Sequence, residues 1–267
     1  MTPFQKLVKS CAMALAVFLI VAIISGLCSV TGTITGLADA GSPGEMKAYP
    51  VKESPDKLSL EIGAAALKIV TGDDFSVESN HKNLTVREED GTLKISEKKV
   101  AVSLSGESVT VILTIPEGFV FADASLETGA GKVDIDTLSA DTLDLDLGAG
   151  AVDIGSLNAK TRARVSTGTG KLTIRSGQLR DLAMDMGVGK LEFTGQLTGT
   201  NDLNLGIGAV ELNLLGSPED YRIRLDKGIG SATMDGKALS GGSTFGSGQH
   251  SIDIDGGIGS IRIQFVS

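Results

Sequence analysis

The clearest pattern in the sequence is a recurring unit of two glycines, separated by one residue and followed by alternating apolar and polar positions. Seven copies lie between residue 129 and the C-terminus. Their first glycines are Gly129, Gly148, Gly168, Gly187, Gly206, Gly228 and Gly257, spaced by 19, 20, 19, 19, 22 and 29 residues. Self-similarity at a nearly fixed period is typical of repeat proteins, whose successive units stack on one another.

The apolar positions within each unit have a period of two, which predicts β-strands. Four and six residues after the first glycine the copies carry Val133 and Ile135, Val152 and Ile154, Leu172 and Ile174, Leu191 and Phe193, and Val210 and Leu212. The same alternation precedes the glycine, as in Leu143 and Leu145. Each unit therefore predicts two short strands that meet at a G-x-G corner. A further apolar position (Leu138, Leu157, Leu179, Leu197) predicts a third wall.

Stacked units of this kind predict an all-β fold, a β-solenoid (single-stranded β-helix) of about 19–20 residues per coil. Residues 117–267 form its regular part. Residues 50–116 alternate less regularly and are interpreted as its irregular N-terminal part, with an excursion over His81–Gly91. The charged stretch Glu88–Lys99 is expected to cap the N-terminal end against edge pairing.

Three further expectations concern the C-terminal half. The Gly- and Ser-rich residues 235–249 read as a flexible loop that interrupts the last coil. The segment Ser260–Val266 reads as a strand with no cap after it, and so as an open edge. Opposite charges are expected to fall on adjacent coils in one outward column, which consists of Ser125, Asp144, Arg164, Ala183, Asp202, Arg224 and Asp253.

The N-terminal part of the chain has a different hydropathy. Residues 10–31 are uncharged and apolar, and Lys6 and Lys9 precede them, which predicts a transmembrane helix with residues 1–9 in the cytoplasm. Residues 32–49 read as a flexible spacer, and residues 50–267 as the extracytoplasmic domain. A cleaved signal peptide is the alternative, because Ala38 and Ala40 form an A-x-A pattern. Both cysteines lie in this N-terminal segment, so no disulfide is expected beyond it.

Composition narrows the function classes. The chain has a net charge of −9, which argues against nucleic acid as a partner because phosphate contacts need a basic face. Glycine is abundant, with 35 residues, while aromatic residues make up 4 % and tryptophan is absent. A narrow core of Leu, Ile and Val accounts for the low aromatic content and the absence of tryptophan.

The order of these features resembles a known family. An N-terminal membrane anchor precedes SVTVILTIPEGF at residues 108–119, and strings of the form L-x-L-G-x-G-x-V-x-I-x-x-L follow. The chain is similar to the LiaG-like putative adhesin family over roughly residues 50–266, most specifically over Val109–Leu157. The resemblance implies a membrane-attached, extracytoplasmic β-solenoid of a Gram-positive bacterium, associated with cell-envelope stress, and brings no catalytic residues.

Motifs that suggest ligand chemistry have simpler structural interpretations. Each G-x-G leads into another strand, whereas dinucleotide binding needs G-x-G-x-x-G between a strand and a helix. A group of five acidic residues on two predicted coils offers oxygen ligands for a weak Ca²⁺ site, with a solvated acidic face as the default interpretation: Asp134, Asp136, Asp144, Asp146 and Asp153. We therefore predict no metal site and no cofactor.

Enzyme activity is the less favoured hypothesis. Polysaccharide-active enzymes on β-helices combine carboxylates with basic residues, and Arg162, Arg164 and Arg175 lie near the acidic group in sequence. His81 and His250 are the only histidines, and Ser243, Ser247 and Ser251 near His250 lie in a segment too rich in glycine to hold a nucleophile and a base together. We predict no catalytic residues.

The sequence therefore predicts a non-catalytic, adhesin-like binding module of the bacterial cell membrane, single-pass, with its C-terminal domain outside. Its expected partners are the membrane, through the N-terminal helix, and an unidentified envelope component, membrane protein or surface ligand. The alternative is a self-assembling structural scaffold, which rests on the expected open edge at Ser260–Val266.

Overall fold

The computed structural model describes residues 44–97 and 109–266. Within these residues the chain is all-β, with one short 3₁₀ turn at Pro218–Asp220. The strands are β1 (Lys47–Pro50), β2 (Lys57–Ile62), β3 (Ala66–Gly72), β4 (Ser76–Ser79), β5 (Leu84–Glu89), β6 (Thr92–Glu97), β7 (Thr110–Pro116), β8 (Phe121–Arg180), β9 (Leu182–Thr198), β10 (Thr200–Leu215), β11 (Tyr221–Asp226), β12 (Ile229–Met234), β13 (Lys237–Ala238), β14 (Ser243–Phe245) and β15 (His250–Val266).

Parallel coils stacked in register form the body of the fold, as the repeat predicts. The period sets the register, since Gly170 pairs with Gly189 and Gly189 with Gly208. The strands differ from the prediction in one respect, because they run through the G-x-G corners without a break, and β8 alone passes through three of them. The second glycine allows this with φ near +150° at Gly208, where a Cβ would lie 1.7 Å from the carbonyl oxygen of Gly189.

The predicted inward columns are confirmed. Ile154 is fully buried, in the same column as Ile135 and Ile174, and the third-wall leucines Leu138, Leu157, Leu179 and Leu197 are at most 1 % exposed. The buried side chains form one continuous apolar core along the stack. Aliphatic residues dominate this core, as the low aromatic content requires.

The coils do not stack in chain order at either end of the fold. β15 lies between β10 on one side and β11 and β12 on the other, so the last coil in the sequence is not the last in space. Likewise, β2 and β3 lie between β8 and the outer strands β6 and β7. The expectation of an open edge at Ser260–Val266 is therefore wrong for Ser260–Ile263, which pair with β10 on one side and β12 on the other, whereas Gln264–Val266 pair with β10 alone.

The same rearrangement changes the predicted charge column. Asp202 lies beside Asp253, so like charges are neighbours there. Arg224 also lies beside Asp253 and forms an ion pair with it, with Nε and Oδ1 3.6 Å apart. The expected pairing of opposite charges thus holds for one of these contacts and fails for the other.

Antiparallel strands cap both ends of the stack. At the N-terminal end β5 pairs with β6, β4 with β7, and β1 with β4. The cap predicted over Glu88–Lys99 is displaced along the chain, because β6 runs parallel to β2 as part of the coils and the capping strand is β5. At the C-terminal end β13 pairs with β12 and β14 with β11. Residues 235–249 are therefore a cap rather than the expected flexible loop, because Leu239 is buried and Phe245 packs against the core.

The predicted cytoplasmic segment, transmembrane helix and most of the spacer lie outside the described residues. In the part of the chain that is described, no helix has the length and apolar character needed to cross a membrane.

Candidate binding surface

Each coil has three walls, and each wall presents a different chemistry to solvent. The first wall precedes the G-x-G corner, the second follows it, and the third carries the leucines Leu138, Leu157, Leu179 and Leu197. Outward positions of the first wall are rich in carboxylates: Glu61, Glu127, Asp144, Asp146, Asp185, Asp202, Asp253, Asp255 and Asp226. This wall is an acidic, solvated face, which is the default interpretation of the acidic residues.

The five candidate calcium ligands do not converge. Asp144 and Asp146 lie on the first wall, whereas Asp134 and Asp153 lie on the second. Asp134 pairs with Lys132 (Nζ to Oδ2, 2.8 Å), and Asp136 accepts a hydrogen bond from the backbone of Thr71. Across residues 44–97 and 109–266, no three His, Cys, Asp or Glu side chains are grouped as a metal site would require.

The basic residues near this group are also separated. Arg175 forms a two-pronged ion pair with Asp153, with Nε and Oδ1 2.9 Å apart. Arg162 and Arg164 lie on strand positions of the first wall, both exposed. The Arg175–Asp153 pair joins neighbouring coils.

Both histidines pack against neighbouring side chains and accept hydrogen bonds from the backbone. His81 is buried, with its Nε2 3.7 Å from Oε1 of Glu97, and its Nδ1 accepts a hydrogen bond from the backbone of Asn83. His250 packs against the ring of Tyr221 and accepts from the backbone of Gly199. Of the serines singled out near His250, Ser243 lies in the capping strand β14 and Ser251 in β15.

An ion-pair cluster strengthens the second wall. Glu192 accepts hydrogen bonds from Lys171, with Nζ and Oε2 2.8 Å apart, and from Lys190. These two bonds lower the pKa of Glu192 to about 2. The carboxylate therefore stays ionised at all ordinary pH values and links two adjacent coils.

The third wall carries a strip of uncharged polar side chains, here called the polar strip: Thr137, Ser139, Ser156, Asn158, Ser176, Gln178 and Gln196. Hydrogen bonds join it from coil to coil. The Asn158 amide donates to Ser139 Oγ (3.1 Å) and the Gln178 amide to Gln196 Oε1 (3.1 Å). The Gln178 backbone N–H donates to Asn158 Oδ1 (3.2 Å). The side chains are thus held in fixed positions before any ligand arrives.

A groove lies at the N-terminal end of the polar strip and shares Thr137 and Ser139 with it. Its volume is about 450 Å³, within the range of ligand sites. The other lining residues are Thr71, Ile115, Pro116, Glu117, Gly118, Phe119 and Phe121. The Phe119 ring is half-buried and held edge-on by Phe75 and Phe121, with ring centroids 4.9 and 4.8 Å apart.

Two other surface features are weaker candidates for a binding site. The middle residues of the G-x-G corners form an exposed apolar row, in which Ile207 pairs with Ile258 and Ile258 with Ile229. This row is one side chain wide because glycines flank it on both sides, so it offers little area to a partner. A second groove of about 280 Å³ at the C-terminal end is lined by Tyr221, Phe245 and other residues of the cap.

The polar strip was not predicted from the sequence. Its signal is present, because seven of the eight residues next to the third-wall leucines are uncharged, as in Thr137 and Ser139 beside Leu138, and Arg180 beside Leu179 is the exception. Their alignment depends on a register shift between Ile174 and Gln178, which the repeat period alone does not reveal.

Comparison with known proteins identifies relatives by sequence and by fold. Residues 56–263 match a family model described as Toastrack DUF4097. No curated protein matches the chain.

Several crystal structures are similar in fold. A "putative adhesin" from Bacteroides fragilis is 17 % identical, with 83 % of this chain and 98 % of that chain covered and a TM-score of 0.42. A "putative cell adhesion protein" from Clostridium sporogenes is 16 % identical, with coverage of 84 % and 100 % and a TM-score of 0.36. A "putative lipid binding protein" from Parabacteroides distasonis is also 16 % identical, with coverage of 85 % and 98 % and a TM-score of 0.35. Likenesses this remote transfer neither a ligand nor an activity to this chain.

Proposed function

Since the chain belongs to the Toastrack DUF4097 family, we propose that it is a non-catalytic, adhesin-like binding module that presents the polar strip and the adjoining groove to a component of the bacterial cell envelope. The observation that carries the proposal is the strip itself. Polar side chains joined across coils offer a long, repetitive and preorganised surface, which is how stacked-repeat proteins bind their partners.

The binding role is tested with isolated envelope material. The full chain, kept in detergent so that the proposed membrane segment does not itself insert, is incubated with delipidated cell-envelope fragments of the source bacterium and sedimented. It is compared with a variant in which Phe119 is changed to Ala. Retention of the wild type and weaker retention of Phe119→Ala are expected. Failure of the wild type to sediment with any envelope fraction would refute the binding role.

We also propose that residues 10–31 anchor the chain in the membrane, with residues 1–9 in the cytoplasm and the β-fold outside. The proposal rests on the apolar segment and on the lysines Lys6 and Lys9 before it. Protease added to intact protoplasts is expected to digest the β-fold, whereas a C-terminus that stays protected until the cells are lysed would contradict this topology.

The self-assembling scaffold remains the less favoured function. This hypothesis was based on a free edge at Ser260–Val266, and Ser260–Ile263 of that segment are paired on both sides. In the described part of the chain, the edges left at the C-terminal end are β13, β14 and Gln264–Val266, each two or three residues long. Such short edge strands are a common protection against edge-to-edge assembly.

A further inference from the structure

We infer that the groove and the polar strip bind a neutral, hydroxyl-rich polysaccharide, one sugar chain lying along the third wall. This inference rests on the proposed binding function and names the class of its ligand.

The first argument is the chemistry of the polar strip. Its side chains are hydroxyls and primary amides, which both donate and accept hydrogen bonds, as sugar hydroxyls do. A Gln amide carries two N–H donors, and the bond from Gln178 to Gln196 uses one of them. The strip therefore keeps capacity for a ligand while its own bonds hold it in place.

The second argument is the length of the polar strip. Ser139, Asn158, Gln178 and Gln196 follow one another on four successive coils. Neighbouring coils lie about 4.8 Å apart, so these four residues span about 14 Å. A surface of this length suits a chain of repeating sugar units better than a single small molecule.

The third argument is the groove at the end of the strip. Phe119 offers an apolar ring surface that can pack on the C–H face of a sugar, and its two aromatic neighbours fix its position. Thr137 and Ser139 in the groove lining supply hydroxyl groups, and Glu117 supplies an acceptor. An apolar platform with a few convergent polar groups is the usual composition of a ligand site.

The fourth argument is charge. The chain has a net charge of −9, the first wall is lined with carboxylates, and the groove carries Glu117. Arg180 is an exposed cation next to the third-wall leucine Leu179, but it is paired with Asp181 (Nε to Oδ2, 3.8 Å). The net field therefore repels polyanions, whereas a neutral sugar chain is indifferent to it. Charge thus favours neutral polysaccharides over acidic ones.

The test measures binding of defined oligosaccharides to the full chain by isothermal titration calorimetry, in a detergent without a sugar headgroup. The probes are the neutral hexamers of cellulose, maltose and chitin units, and the acidic hexamer of galacturonic acid. Saturable binding of at least one neutral hexamer, with weaker or no binding of the acidic one, is expected. Binding of no neutral hexamer, or equal binding of the acidic one, would overturn the inference.

Two variants separate the polar strip from the rest of the surface. Gln178→Ala is expected to weaken binding about threefold to tenfold, the worth of one hydrogen bond. The matched control is Asn204→Ala on the first wall, where the amide donates to Asp185 on the neighbouring coil (3.0 Å). Asn204→Ala is expected to bind like the wild type, and an equal loss in the two variants would overturn the assignment. Because Gln178 is exposed, its variant also stays informative if Phe119→Ala fails to fold.

Deglycosylation of the envelope material with anhydrous trifluoromethanesulfonic acid distinguishes failure of this inference from failure of the proposed function. The acid cleaves glycosidic bonds and leaves peptide bonds intact. Loss of binding after treatment supports a polysaccharide ligand. Undiminished binding would overturn the polysaccharide and leave the binding function standing, whereas no binding before treatment would refute the function itself.

Discussion

Replacing Gly208 with alanine tests whether the close stacking of the G-x-G corners holds the coils together. The new Cβ would lie 1.7 Å from the carbonyl oxygen of Gly189 and 2.8 Å from its carbon. Real Cβ contacts do not approach so closely, so the two coils would have to separate locally. The backbone at Gly208, with φ +150°, is in addition unfavourable for any residue with a Cβ.

The magnitude follows from three contributions. The backbone conformation costs about 1–3 kcal/mol. Overpacking against a rigid backbone typically costs about 1–3 kcal/mol, and each ladder hydrogen bond lost by separating the coils adds about 1 kcal/mol. We therefore expect Gly208→Ala to lower the free energy of unfolding by about 4 kcal/mol, a large part of the about 5–15 kcal/mol of an ordinary domain.

Gly242→Ala is the matched control. Gly242 also has a positive φ, +73°, but a Cβ there would meet nothing within 4 Å. It is expected to lose about 1 kcal/mol, from the backbone conformation alone. Both variants are compared with the wild type by urea unfolding followed by far-ultraviolet circular dichroism, and equal losses in the two would refute the role of the close stacking.

The remaining predictions concern the core, a buried hydroxyl and one carboxylate. Ile154→Asp is expected to cost several kcal/mol or abolish folding, because it buries an unpaired charge. Asp153→Ser, which breaks an exposed ion pair, is expected to cost under about 1 kcal/mol. A wild-type melting curve for Ile154→Asp would show that the inward column is wrongly assigned. Tyr221→Phe removes the hydrogen bond from the buried hydroxyl to the Leu215 carbonyl (2.8 Å). The substitution is expected to lower the free energy of unfolding by about 1 kcal/mol, and an unchanged free energy in urea unfolding would contradict this. Because the pKa of Glu192 is lowered to about 2 in the folded chain, its stabilising contribution is present above its ordinary pKa of 4.5 and is lost as pH falls towards 2. The stability difference between wild type and Glu192→Gln should therefore shrink over that interval, and a constant difference would contradict the ion-pair cluster.

The repeat period was sufficient to predict the coils and their inward columns, because identical spacing places identical positions above one another. It could not predict the order of the coils in space. A coil such as β15 carries the same alternation as its neighbours, so it fits equally well at the end of the stack or inside it. The choice depends on the caps, which pair antiparallel and lie outside the repeat.

The composition of a segment also misled the prediction at residues 235–249. Glycine and serine are typical of loops, yet the buried side chain of Leu239 and the core contact of Phe245 hold this segment as a cap. The polar strip escaped prediction for a related reason. Uncharged residues such as Ser156 and Gln178 carry no distinctive motif, and only the three-dimensional register brings them onto one wall.

Hydrogen–deuterium exchange of the full chain, measured with and without envelope fragments, tests the proposed binding surface most directly. Protection on binding is expected on the third wall, in peptides that contain Phe119, Ser139, Asn158, Gln178 and Gln196. Peptides of the acidic first wall around Asp146 and Asp255 are expected to exchange at the same rate in both samples. Protection confined to the first wall, or to the G-x-G corners, would contradict the assignment of the polar strip and the groove as the binding surface.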